Sequence, residues 1–190
     1  MQRPFFHFFG GLIFPIFYLL STRTMVLEVA GSMLVGIIIF ELLRKKYSQC
    51  NEWIFRYAGG YFKEKEKVGL TGMPYFVGGV LLTVALFSQP VAITALCFLT
   101  FGDVSAAIVG KKCGTIKICG PKSLQGSLAF FVVVSIVGFA IKTYLFPHYL
   151  TASSILIGAF IATLTELLPG SLDDNLTVPV ITGLALHLLR

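Results

Sequence analysis

Residues 90–112, PVAITALCFLTFGDVSAAIVGKK, decide how this chain is built. From Pro90 to Val109 the only charged side chain is Asp103, and Lys111 and Lys112 follow at once. A helix needs about 20 apolar residues to cross the hydrocarbon core of a bilayer. A helix on a soluble domain carries a polar face along its length, and this stretch has none. It therefore reads as a membrane span. A carboxylate inside such a span is expensive and faces a cavity or a partner, which makes Asp103 a candidate functional residue. Lysines at one end set that end in the cytosol.

The same pattern extends in both directions. Apolar runs occur at Phe5–Leu20, Met25–Leu43, Thr71–Phe87, Leu124–Leu145, Ala152–Leu168 and Leu176–Leu189. The expected fold is all-α: one polytopic transmembrane helical bundle over 1–190, with about seven spans. The count is six if the last run, interrupted by Pro179 and His187, does not cross. Composition agrees, with 56% hydrophobic residues, a mean hydropathy of +0.85 and 13% charged residues. Soluble domains hold roughly 25% charged residues. No small-x-small cleavage pattern follows Leu20, so the first run is expected to be a span and not a leader.

The net charge of +6 is gathered in loops, which marks topology and a phosphate site, not a nucleic-acid patch. Arg44, Lys45, Lys46, Arg56, Lys63, Lys65 and Lys67 occupy the second connection, and Lys111, Lys112, Lys117 and Lys122 the fourth. Both are expected in the cytosol, together with 168–175. The segment 44–70 interleaves these charges with Trp53, Phe55, Tyr57, Tyr61 and Phe62, the pattern of a basic interfacial loop on anionic lipid. The cysteines at 50, 113 and 119 fall in cytosolic segments, where thiols stay reduced.

The cytosolic face collects the chemistry. Asp103 lies in the cytosolic half of its span, Glu166 near the cytosolic end of another, and Asp173-Asp174-Asn175 just after the break at Pro169-Gly170. Hard oxygen ligands suit magnesium, and lysines suit phosphate oxygens. Gly110, Gly114, Gly120 and Gly126 open the intervening loop to close approach by an anion. Ser123 is placed to cap the next helix, and Lys122 stands just before that helix start, where free N–H groups attract phosphate. The spacing is not that of a Walker A loop. Glu41 and Arg44, at i and i+3, are placed to pair.

Taken together, Gly102-Asp103-x-x-Ala106-x-x-x-Gly110-Lys111, Lys122-Ser123-x-x-Gly126-Ser127, Glu166 and Asp173-Asp174-Asn175-x-x-x-Pro179 resemble the CTP-dependent polyprenol kinase family. Its members include dolichol kinase, phytol kinase and CTP-dependent diacylglycerol kinase. Arg3-x-x-x-His7, Glu41-x-x-Arg44 and Thr71-Gly72 are similar to its N-terminal landmarks. The resemblance implies transfer of phosphate from CTP to the hydroxyl of a lipid alcohol such as a polyprenol, phytol or diacylglycerol. It implies Mg²⁺ at Asp103, Glu166 and Asp173, catalytic roles for Asp103, Glu166, Asp173 and Asp174, and nucleotide contacts from Gly110, Lys111, Lys112, Lys122, Ser123, Gly126 and Asn175. Two positions depart from the family: Gln125 stands where a glutamate is usual, and Pro4 follows Arg3. Phosphatidate cytidylyltransferases are related, but their His-Gly-Gly and Asp-Arg-x-Asp element is absent. A small transporter is the third reading, and the lysines and glycines at the cytosolic face argue against it.

Overall fold

The computed structural model describes residues 2–58, 64–168 and 172–190, with side chains at 8–49, 51–57, 66–168 and 172–190. The side chains of Arg3, His7, Cys50 and Lys65, and all of Tyr61, Phe62, Lys63, Pro169 and Gly170, lie outside the described residues.

Each of the seven apolar runs is helical. The elements are α1 (Gln2–Leu20), α2 (Arg23–Lys46), α3 (Ser48–Ala58), α4 (Gly72–Leu86), α5 (Gln89–Cys113), α6 (Leu124–Ala140), α7 (Ala152–Leu167) and α8 (Asp174–Leu188). A short hairpin, β1 (Lys117–Cys119) and β2 (Lys122–Ser123), joins α5 to α6. Three helices are long and apolar enough to cross a membrane by length and composition: α2, α5 and α6 with its continuation to Tyr144. The described parts of α1, α4 and α7 are shorter apolar helices. Helix α8, with Pro179 inside it, has 15 residues and spans about 22 Å.

Helix starts follow local chemistry. Thr22 accepts from the Met25 amide, and Thr151 and Ser154 form a reciprocal capping box. Pro90 stands in the first turn of α5, where its missing N–H costs nothing. Helix α6 ends in a π turn, Ile141–Leu145.

Helix α5 is the centre of the bundle. Its residues Val91–Thr100 and Gly102 are buried, and α1, α6 and α8 pack around it. By contrast, only Val26, Ala30, Glu41 and Arg44 of α2 are buried, so most of that helix presents apolar side chains outward. A hydrophobic outer surface fits lipid as the surrounding solvent.

The expected Glu41–Arg44 pair forms, and it is more than an isolated pair. Arg44 Nη2 donates to Glu41 Oε2 at 2.5 Å and to the Gly69 carbonyl at 2.9 Å. Arg44 Nη1 donates to Asn51 Oδ1 at 2.8 Å and to the Glu66 carbonyl at 3.2 Å. Thr71 Oγ1 donates to the other Glu41 oxygen at 2.6 Å. Both charged side chains are almost fully buried. Burying an ion pair is costly unless its other polar atoms are engaged; here all but Arg44 Nε are, and the clamp ties α2, α3 and the start of α4 together.

Helix α4 then meets α8 at a point without room for a side chain. A Cβ at Gly79 would collide with the Asn175 carbonyl and sit 3.3 Å from Pro179 Cγ. Proline supplies no N–H to the carbonyl four residues earlier, and its ring pushes that carbonyl aside. The displaced carbonyl is that of Asn175, and Gly79 makes space for it.

Candidate active site

A cavity of about 440 Å³ opens where α5, the hairpin, α6, α7 and the start of α8 converge. On α5, Asp103, Ala106, Ala107, Gly110 and Lys111 line it, a set that shares one side of a helix. On the opposite wall, Ser123 caps α6: its Oγ accepts from the Gly126 amide at 3.2 Å. Gly126 lets α5 and α6 approach closely, since a Cβ there would lie 3.1 Å from the Ala106 carbonyl and 3.4 Å from Gly110 Cα. The hairpin turns at Gly120, whose φ of +53° suits glycine.

Lys122 reaches across the cavity. Its Nζ donates to Asp174 Oδ2 at 2.9 Å, lies 3.4 Å from Glu166 Oε1 and also meets the Glu166 carbonyl. Burial alone pulls the Lys122 ammonium down, but the Asp174 hydrogen bond and the charges of Glu166 and Asp174 outweigh it. The net effect raises it above the ordinary lysine value. Asp103 lies near enough to repel both Glu166 and Asp174. Asp173 caps α8, accepting from the Asn175 amide at 3.2 Å and from Asn175 Nδ2 at 2.8 Å. Two polar atoms at this cavity are buried and have no hydrogen-bond partner: Asn175 Oδ1 and Ser127 Oγ. Buried polar atoms are normally paired, so these two stand out among the lining residues.

Of the sequence-predicted residues, Asp103, Glu166, Asp173, Asp174, Gly110, Lys111, Lys122, Ser123, Gly126 and Asn175 all line this one cavity. Lys112 does not, and it is exposed. Nine residues at about 100° each place it opposite Asp103 on α5. Lys117 and Ser127 line the cavity although the sequence reading gave them no site role. Gln125 turns away: its Nε2 donates to Thr115 Oγ1 at 2.7 Å and its Oε1 accepts from the Ile116 amide at 3.3 Å. It braces the hairpin instead of facing the cavity.

The walls hold four carboxylates and three lysines. This donor set of hard oxygens fits a magnesium ion, which is usually held by one or two carboxylates plus phosphates and water. No ready-made group of three metal-binding side chains exists among the described residues. Asp103, Glu166 and Asp173 share the cavity without forming a closed cage.

No family model matches, and no solved structure matches. The chain is 34% identical over 149 residues to CTP-dependent diacylglycerol kinase 1 of Schizosaccharomyces pombe, covering 70% of this chain and 67% of that one. It is 28% identical over 170 residues to CTP-dependent diacylglycerol kinase 1 of Saccharomyces cerevisiae, covering 78% of this chain and 59% of the relative. It is 32% identical over 136 residues to the chloroplastic phytol kinase 1 of Arabidopsis thaliana, covering 63% and 43%. The chain thus spans about half of two of these relatives and 67% of the third. The likeness to the fission-yeast protein, backed by the other two, shows that the chain belongs to the CTP-dependent lipid kinase family.

Proposed function

We propose that this protein transfers the γ-phosphoryl group of CTP to the hydroxyl of a lipid alcohol, at the cytosolic face of a seven-span bundle. The observation that carries the reading is the convergence of Asp103, Lys111, Lys122, Glu166 and Asp174 on one cavity from four separate elements. Phosphoryl transfer needs positioning and charge neutralisation more than covalent chemistry, and this cavity offers both signs of charge at close quarters.

In this reading Lys111, Lys122 and the amides around Gly110, Ser123 and Gly126 take the triphosphate. Asp103, with Glu166 and Asp173, holds Mg²⁺, which when bound offsets phosphate charge and orients the transferred group. Lys122 exchanges part of its present pairing with Glu166 and Asp174 for phosphate oxygens. The acceptor oxygen attacks the γ-phosphorus, the bond to the bridging oxygen breaks, and CDP leaves. The hydroxyl proton passes to the carboxylates at 173–174, although a loose transition state asks little of a base. The lipid tail stays among the helices while CTP arrives from water. The whole chain acts as one domain, with the segment 44–70 on the membrane surface.

The test is purified protein with CTP labelled in the γ-phosphate and a panel of lipid alcohols. Labelled lipid phosphate with release of CDP supports the reading. Release of pyrophosphate with formation of a CDP-lipid shows a cytidylyltransferase and sinks it.

A further inference from the structure

The helix α2 ends at Lys46, Tyr47 leaves helical geometry at φ −110° and ψ 95°, and α3 starts at Ser48. The two helices therefore meet at an angle, and a groove of about 620 Å³ lies between them. Phe40, Leu43 and Tyr47 form its α2 side, Trp53 and Ile54 its α3 side, and Arg44 part of the wall. This groove shares no lining residue with the reaction cavity.

Two observations name its occupant. First, the groove is continuous with an outward apolar stripe on α2, where Val29, Met33, Phe40 and Leu43 are each 44–50% exposed. An acyl chain lying along that stripe reaches the groove without leaving the hydrocarbon phase. Second, among the described residues of these two helices the exposed charges beside it are Lys45, Lys46 and Arg56 against Glu52. That excess attracts an anionic head group and repels the same surface on a second copy of the chain.

We propose that the α2–α3 groove binds an anionic phospholipid of the cytosolic leaflet, with its chain against Phe40 and Leu43 and its head group near Lys45, Lys46 and Arg56. The bound lipid sets the angle between a membrane-crossing helix and a surface helix. It sits beside Arg44, which ties both helices to the start of α4.

Trp53 is the single tryptophan of the chain, so its fluorescence reports on this groove alone. The full chain is reconstituted in phosphatidylcholine vesicles containing a minor fraction of chain-brominated phosphatidylglycerol or, in parallel, chain-brominated phosphatidylcholine. The anionic quencher is expected to act at about fivefold lower mole fraction, the effect of one cation near an anionic surface. Replacing Lys45, Lys46 and Arg56 by glutamine is expected to remove the preference and leave quenching by brominated phosphatidylcholine. Ile54→Phe, which fills the groove and keeps every charge, is expected to remove the preference as well. Equal quenching by both lipids in the unmodified chain overturns the proposal, and so does the absence of quenching by either. A preference that survives Ile54→Phe indicates a diffuse ionic cloud and equally defeats a groove site. Because no turnover is measured, the outcome is independent of the proposed kinase activity.

Discussion

Lys122→Met removes the cation that, among the described residues, bridges α7 and α8 across the cavity, while keeping the bulk of its stem. The ammonium lies 2.9 Å from Asp174 and 3.4 Å from Glu166. With an effective dielectric of about 20, those separations correspond to roughly 6 and 5 kcal/mol of bare attraction. Desolvation cancels most of that. A hydrogen bond to a charged group is worth about 1.5–3 kcal/mol net. The three side chains are only 10–31% exposed, so solvent screens them incompletely. The substitution also leaves Glu166 and Asp174 facing each other and Asp103 without compensation. We expect a stability loss of about 2 kcal/mol and, independently, a CTP specificity constant reduced by about tenfold to a hundredfold. Adding Asp174→Asn separates the two effects. The double variant should regain thermal stability, because one repelling charge is gone, yet keep a raised KM for CTP. Lys117→Met is the comparison: Lys117 also lines the cavity, but its Nζ meets only the Pro121 carbonyl at 3.3 Å. The assays are thermal unfolding in detergent and steady-state kinetics against CTP. A Lys122→Met enzyme with kcat and KM both within about twofold of the parent would refute the phosphate role. Recovery of both constants in the double variant would show that Lys122 serves Asp174 alone.

Asp103→Asn should lower kcat by about a hundredfold with a melting temperature no lower than the parent's, since the amide keeps the shape and removes a charge that repels Glu166 and Asp174; near-normal turnover at limiting magnesium would make Asp103 structural. The exposed Cys113 should resist an impermeant maleimide in intact cells and react after permeabilisation, and labelling from outside would place the cavity on the wrong face of the membrane. The raised folded-state value of Lys122 fixes the sign of a pH effect: its stabilisation is fully present below 10.5 and fades as pH rises through that raised value. Melting curves of the parent and Lys122→Met should therefore stay apart through neutral pH and converge in strong alkali, where the ammonium is lost, and in acid, where its carboxylate partners are protonated.

Helix positions were legible in the sequence because long apolar runs have one solution in a bilayer, a hydrogen-bonded helix. Most of the cavity lining was legible for the same reason: charged residues such as Asp103 and Glu166 stand out against an apolar background. What failed depended on rotation and on short-range geometry. Lys111 and Lys112 are equivalent in a count of charges, and only the helical phase of α5 separates them. Lys117 took its place from a hairpin a few residues long, too short for an alternation to show. Ser127 is a small hydroxyl one turn into α6, and only its burial without a partner distinguishes it. The Glu41–Arg44 spacing gave the pair, but its partners Asn51, Gly69 and Thr71 arrive through a connection that no periodicity describes.

The crossing at Gly79 and Pro179 has an evolutionary consequence. The Asn175 carbonyl is set aside by the proline ring and housed by the missing side chain of the glycine, so each residue makes the other acceptable. Replacing Pro179 alone by alanine restores a donor for that carbonyl and draws it back into α8, leaving a void beside Gly79. Replacing Gly79 alone by alanine drives a methyl group into the carbonyl. Either change moves Asn175, and with it the neighbouring Asp174. The two positions, a hundred residues apart in the chain, are thus expected to mutate as a unit: relatives that lose the proline are freed to carry alanine or serine at 79, and relatives that keep it are not.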